Sequence, residues 1–276
     1  MDIQIETVRV NGFSMDFFRF GKGDRTLVIL PGLSVQSVMN YANSVSQSYR
    51  LLTDDFTVYV FDRRKELPAA YSVWEMAEDT AAAIRTLGLD RVCIFGASQG
   101  GMIGMAIAIR HPELVSRLVL GSTSACIGEE PFKTVENWIR LAGEGNAKDL
   151  CLAFGEAIYP PETFILFRDL LVKAAESVTG EELQRFRTLA ESIKDFDVTD
   201  RLREIACPVL VIGSGNDRVL GSRASEQIAE RLKGRPDCEL YMYDGYGHAA
   251  YDLAPDYKER ILRFLKKELR ITSAGQ

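Results

Sequence analysis

The sequence predicts an α/β fold: a mostly parallel, eight-stranded sheet with helices on both faces and a helical cap insertion. Three observations predict it. Short, nearly unbroken apolar runs, the pattern of strands buried on both faces, recur at TLVIL, FTVYVF, RVCIF, RLVL and PVLVIG. Helical patterns with a 3.6-residue apolar period separate several of these runs. From about Ile127 to Val198 no convincing buried strand occurs, and the text is helical throughout.

The elements follow in order. Residues 3–20 alternate apolar and polar around Asn11-Gly12, a strong signal for two antiparallel strands joined by a tight hairpin turn. The turn GKGD then leads into TLVIL, the first fully buried strand, and FTVYVF is the next. Ser72-Val73-Trp74-Glu75 reads as a capping box that opens a helix running to about Leu87, where Gly88 ends it. RVCIF follows as a strand. Met102 to Arg110 continues a helix that begins just after Ser98, and His111-Pro112 stops it before RLVL.

The insertion contains KTVENWIRLAG, AKDLCLAFGEAI and PPETFILFRDLLVKAAES, then a second capping box at Thr179-Gly180-Glu181-Glu182. The chain is therefore expected to divide into a core, residues 1–125 and 199–276, and a helical cap, residues 126–198. PVLVIG returns to the sheet and CELYMY, with a more alternating pattern, closes it. SRASEQIAERLKG and APDYKERILRFLKKEL read as surface helices, and the polar tail ITSAGQ is expected to fray.

Composition narrows the function classes. A chain of 276 residues with 46% hydrophobic residues can bury a large core. The net charge is −6, and Lys and Arg are scattered among Asp and Glu, so no basic stripe invites nucleic acid or anionic lipid. No apolar run approaches the roughly 18 residues needed to cross a membrane. The beginning, MDIQIETVRVNGFSMDFF, is acidic where a signal peptide is basic and lacks an apolar centre, so a cytoplasmic location is expected. Cys93, Cys126, Cys151, Cys207 and Cys238 are widely separated, with no C-x-x-C pair, and are expected to be buried thiols rather than zinc ligands or redox groups.

The chemistry begins at FGASQGG, residues 95–101, directly after a buried strand. Gly96-Ala97-Ser98-Gln99-Gly100 satisfies G-x-S-x-G between a strand and a helix, the context in which that motif forms a nucleophile elbow. There the serine occupies a strained turn above the carboxyl edge of the sheet, and the glycines relieve crowding. The backbone N–H of Gln99 then faces the reaction space near a helix N-terminus.

A serine needs a base, and the chain offers two histidines. His111 stands at the far end of the helix that follows Ser98 and reads as structural. His248, in Asp244-Gly245-Tyr246-Gly247-His248, lies in the loop after the last strand, at the same carboxyl edge as Ser98. The base in turn needs a carboxylate to hold its tautomer. Asp217, in the loop after PVLVIG, is the expected acid; Asp62, after FTVYVF, is a weaker alternative, and Asp244 and Asp252 read as turn and cap residues.

The order Ser98, Asp217, His248 is the triad order of α/β hydrolases, and the sequence resembles that superfamily over nearly all of residues 1–125 and 199–270. TLGLDRV, the elbow and RHPELVSRLVLGST carry the likeness further. Two departures stand out. Many relatives have His-Gly after the third strand, where this chain has Leu30-Pro31-Gly32-Leu33, and Asp-x-Arg-Gly-x-Gly is reduced to Asp62-Arg63-Arg64-Lys65. Gly32 still permits the turn that offers the Leu33 N–H as second oxyanion donor beside that of Gln99.

The resemblance implies a serine hydrolase that cleaves an ester-like small molecule (carboxylic ester, lactone or thioester) through an acyl-enzyme, with no cofactor and no metal. Serine at the elbow argues against dehalogenase or epoxide-hydrolase chemistry. Carbon-carbon bond hydrolysis and cofactor-free peroxidase-like activity stay open within the fold, as does a small-molecule receptor that keeps its triad. Trp138, Phe154, Tyr159, Phe164 and Phe167 are candidates for the pocket, although helical spacing also predicts that they pack the cap onto itself.

Overall fold

A computed structural model describes residues 2–267; the expected polar tail lies outside them. Eight strands are formed: β1 (Ile5–Val10), β2 (Phe13–Phe20), β3 (Arg25–Leu30), β4 (Phe56–Arg64), β5 (Val92–Ala97), β6 (Val115–Gly121), β7 (Val209–Ser214) and β8 (Cys238–Tyr243). They make one sheet in the order β1-β2-β4-β3-β5-β6-β7-β8. β1 and β2 pair antiparallel with Val10 opposite Phe13, so Asn11 and Gly12 alone make the turn, and Gly12 takes φ 91°. β2 also runs antiparallel to β4, and every later pairing is parallel.

The apolar runs are explained by burial on both sides. Every residue of β5 and of β7 is buried, whereas β8 lies at the edge and is mostly half-buried, which accounts for its mixed text. Side chains alternate between faces. Val92 and Ile94 of β5 join one apolar cluster, and Cys93 and Phe95 join the other.

The helices are α1 (Ala42–Ser48), α2 (Val73–Thr86), α3 (Gln99–Arg110), α4 (Glu129–Gly143), α5 (Ala147–Ile158), α6 (Pro161–Ala175), α7 (Gly180–Glu191), α8 (Ala224–Arg231), α9 (Ala250–Leu253) and α10 (Tyr257–Lys266). The first cluster includes Met76 and Ile84 of α2 and Met102 and Met105 of α3; the second includes Tyr257, Ile261 and Phe264 of α10. Fully burying a side chain of this size contributes about 1.5–3 kcal/mol. Packing on the sheet therefore outweighs the few tenths of a kcal/mol by which ordinary residues differ in helix propensity.

α1 has no counterpart in the sequence reading, and its text, ANSVSQS, explains why. It is built from weak helix formers, has no side-chain cap, and buries only Ala42. α4 to α7 all lie between β6 and β7 and pack mostly on one another and on the first cluster through Val135, Trp138, Leu150, Phe186 and Leu189. The segments before α4 and after α7 meet, where Cys126 bridges Asp197 and Val198 N–H donates to Ala125 O at 2.9 Å.

All five cysteines are free thiols; Cys93, Cys151 and Cys207 are buried, while Cys126 and Cys238 are only half-buried. Burial pushes the Cys207 thiol up to about 12 and raises Cys151, so neither supplies a thiolate near neutral pH.

Both capping boxes are present, at Ser72/Glu75 and Thr179/Glu182. Ser72→Ala removes the acceptor for Glu75 N–H and should lower stability by about 1 kcal/mol. Urea denaturation should report it as a lower midpoint with an unchanged slope; an unchanged midpoint would show that the box adds nothing beyond the packing of α2.

Candidate active site

β5 ends at Ala97 and α3 begins at Gln99, so Ser98 alone makes the turn between them, at φ 53° and ψ −123°. A non-glycine residue held in such a conformation costs about 1–3 kcal/mol, which the surroundings must offset. They do so by close approach. A Cβ on Gly96 would stand 2.3 Å from Gly100 O, and one on Gly100 would stand 1.9 Å from Leu30 O. Ser98 N–H donates to Gly121 O at 2.8 Å, and Ser98 O accepts from Thr123 Oγ1 at 2.7 Å, fixing the turn to the end of β6.

His248 and Asp217 meet from the loops after β8 and β7. His248 Nδ1 lies 2.8 Å from Asp217 Oδ2, and the two residues are 3% and 6% exposed. An ionised carboxylate only accepts, so the proton of neutral His248 sits on Nδ1 and Nε2 keeps its lone pair. Asp217 Oδ1 is held by the N–H groups of Val219 (2.8 Å) and Leu220 (3.0 Å). Ala249 N–H donates to Ile158 O at 3.0 Å, which ties the histidine loop to the end of α5.

Ser98 and His248 line one cavity with Leu33, Val135, Trp138, Phe154, Ile158, Ile193, Val219, Leu220 and Tyr251. Its water-accessible space is about 10 Å³, room for roughly one water molecule. Among the described residues, no Asp, Glu, Lys or Arg side chain lines it. A much wider crevice, about 700 Å³ between Arg25, Arg91, Arg117 and Lys267, lies at the amino ends of the parallel strands; its lining includes Cys93 and Ser116, with Sγ and Oγ 3.4 Å apart, and neither histidine.

The loop after β3 presses on the elbow: a Cβ on Gly32 would lie 3.1 Å from Ser98 Cβ and 3.7 Å from Ser98 Oγ. Among the described residues, the N–H groups of Leu33 and Gln99 have no acceptor. Leu33 lines the cavity with Ser98, and Gln99 follows Ser98 at the start of α3, so the two segments that carry these donors meet at the serine.

Other sequence candidates lie elsewhere. Asp62 makes no hydrogen bond to His248; its carboxylate accepts from Ser37 Oγ (2.5 Å), Arg63 N–H (2.7 Å) and Arg185 Nη2 (3.3 Å). Asp244 and Asp252 make no hydrogen bond to His248. His111, at the end of α3, contacts Glu78 and Arg85 at 3.0 Å each. Trp138 and Phe154 line the cavity, whereas Tyr159 and Phe167 pack edge to face at 5.2 Å, and Phe164 lies against Gly155.

One polar network escaped sequence reasoning. Arg63, 6% exposed, donates through Nη2 to Pro31 O at 2.8 Å and to Gln99 Oε1 at 2.7 Å. Gln99 Nε2 donates onward to Leu189 O (2.7 Å) in α7 and to Ser192 Oγ (3.1 Å). Burial pulls the Arg63 guanidinium down to about 10, opposed by the nearby Asp62 charge, so it remains a cation at neutral pH. The only sequence signal was an arginine at the carboxyl end of a central strand.

Among the described residues, no cluster of three or more His, Cys, Asp or Glu side chains is arranged to hold a metal, and no helix is long and apolar enough to cross a membrane.

The family model for the alpha/beta hydrolase fold matches residues 25–255. The chain belongs to this family. It is similar to a protein of Rhizobium rhizogenes named putative carbamate hydrolase RutD, 27% identical over 231 residues and covering 78% of this chain and 84% of that one. The RutD protein of Agrobacterium fabrum is likewise 27% identical, over 223 residues, with the same coverage of each chain. Among solved structures, the enol-lactonase of Burkholderia xenovorans LB400 superposes with TM-score 0.81 at 18% identity, covering 95% of this chain and 100% of that one. An alpha/beta hydrolase enzyme from a Medee basin deep-sea metagenome library gives TM-score 0.83 at 21% identity, covering 96% and 98%. The protein is thus an α/β-hydrolase enzyme.

Gly100→Ala places a methyl group 1.9 Å from the Leu30 carbonyl and must displace β3 or α3. Overpacking of this kind costs about 1–3 kcal/mol, and more where backbone is struck. Thermal unfolding should show a fall in Tm of at least several degrees together with lost activity; a fully stable, active variant would mean that the elbow has room to relax.

Proposed function

We propose that this chain is a serine hydrolase acting on small, uncharged ester-like substrates with an apolar acyl group. One observation carries the reading: a strained serine and a histidine fixed by a buried aspartate line the same apolar cavity. Ser98 Oγ attacks the acyl carbon while His248 Nε2 takes the hydroxyl proton. Asp217 holds the ring in that tautomer and stabilises the imidazolium, and the Leu33 and Gln99 N–H groups bind the oxyanion. Collapse of the tetrahedral intermediate expels the leaving group, which receives the proton from His248. Water then enters and attacks the acyl carbon as His248 takes its proton; the bond to Ser98 Oγ breaks, His248 returns the proton to that oxygen, and the acid leaves. Every step uses groups of the chain itself, so the reading calls for no cofactor.

The helices α4, α5 and α7 act in this reading as a cap whose Val135, Trp138 and Phe154 bound the acyl group. An anionic acyl group would meet no cation there, and burying it unpaired is costly. The cavity has room for about one water, so in this reading the helices shift to admit a substrate. The names of the relatives add carbamates and lactones to simple esters and thioesters as classes to try.

A fluorophosphonate should add one label per chain, at Ser98, and Ser98→Ala should abolish both labelling and turnover with an unchanged circular dichroism spectrum. Labelling elsewhere, or none, would remove the nucleophile assignment. Asp217→Asn should lower kcat by about 10³–10⁴, because the amide favours the wrong tautomer, whereas Asp244→Asn should stay within about threefold; the reverse result would move the acid. Trp138→Ala opens the cavity, so the kcat/KM ratio of hexanoate to acetate p-nitrophenyl esters should rise about tenfold or more, about 1.4 kcal/mol. An unchanged ratio would place the acyl group elsewhere.

A further inference from the structure

We propose that Arg63 is a positioning residue for the oxyanion site, acting with the Gln99 side chain as one unit. The proposal rests on the acyl-transfer reading of Ser98. The two N–H groups assigned to the oxyanion belong to separate segments, Leu33 in the loop after β3 and Gln99 at the start of α3. Their spacing must suit one oxygen, yet neither is bonded to the other. Arg63 Nη2 joins the two segments: it binds Pro31 O, two residues before Leu33, and the side-chain carbonyl of Gln99 itself.

The chemistry of Arg63 suits this role. Its guanidinium is buried, yet among the described residues no carboxylate makes an ion pair with it; neighbouring Asp62 accepts instead from Ser37, Arg185 and the Arg63 backbone. Its Nε has no acceptor. A buried charge without a direct counter-ion is an expensive way to fill space. A planar guanidinium can hold two carbonyl oxygens at once in fixed directions, which a lysine ammonium on a flexible stem does less well.

Gln99 extends the link. Its carboxamide has its oxygen on Arg63 and its nitrogen on Leu189 O and Ser192 Oγ, so the residue supplying one oxyanion N–H is also held by the helix above it. Arg185, on the same helix, donates to Asp62 and to the Arg63 and Arg64 carbonyls, bracing the strand end from the other side. The oxyanion loop, the elbow and α7 are thereby joined through two buried side chains.

The test uses kcat per active serine, counted by stoichiometric fluorophosphonate labelling, with the affinity of a trifluoromethyl ketone that forms the tetrahedral adduct. Wild type must first label at Ser98; absence of label would sink the acyl-transfer reading rather than this one. Arg63→Ala should lower kcat per titrated serine about a hundredfold, with KM within threefold and ketone affinity falling in step with kcat/KM. Millimolar methylguanidinium should restore at least tenfold of the loss. Arg63→Lys, which keeps the charge, should fall at least tenfold, and it serves alone if the alanine variant does not fold. Gln99→Met should also lose about tenfold, and Arg63→Ala with Gln99→Met should be no worse than Arg63→Ala alone. Unchanged kcat per titrated serine in Arg63→Lys, or additive losses in the double variant, would overturn the proposal.

Discussion

The collision that a single Cβ on Gly100 would make with the Leu30 carbonyl sets the geometry around which the protein is arranged. It brings the first turn of α3 directly against the end of β3, and with it the loop that carries Gly32 against Ser98. A serine at φ 53° cannot be stable in an isolated turn. It persists because β3, β5 and β6 converge on it and hold both of its backbone polar groups.

Parallel strands supply the second condition. Their carboxyl ends all face one way, so loops from distant parts of the chain meet at one edge. Asp217 and His248 are 31 residues apart, yet they lie 2.8 Å apart because β7 and β8 are neighbours in register. Burial then makes this contact selective: a carboxylate at 6% exposure, held by two backbone N–H groups, is paired and satisfied, and it leaves the imidazole a single orientation.

The helices above the sheet have two kinds of attachment. Apolar contacts from Val135, Trp138 and Phe154 line the cavity beside Ser98 and carry little direction. The bonds from Gln99 and Arg185 to and from α7 are directional. The end of α5 is held directionally as well, by Ala249 N–H on Ile158 O and by Arg218 on the Glu156 and Tyr159 carbonyls.

Much of this was legible in the amino-acid sequence. The strand runs, the hairpin at Asn11-Gly12, both capping boxes and the G-x-S-x-G turn are local patterns, and local sterics and periodicity decide them. The pairing of His248 with Asp217 followed from placing both in loops at one sheet edge. Local patterns could not place the partners of Asp62, whose carboxylate the structure engages with Ser37, the Arg63 N–H and Arg185. They also left α1 invisible, since weak helix formers leave little periodic signal. The roles of Trp138 and Phe154 as against Tyr159, Phe164 and Phe167, the 10 Å³ of the cavity and the bridge from Arg63 to Gln99 depend on side chains far apart in sequence. Tertiary structure alone decided them, because packing and hydrogen bonding are settled by which surfaces meet, and a sequence read locally specifies the surfaces without specifying their partners.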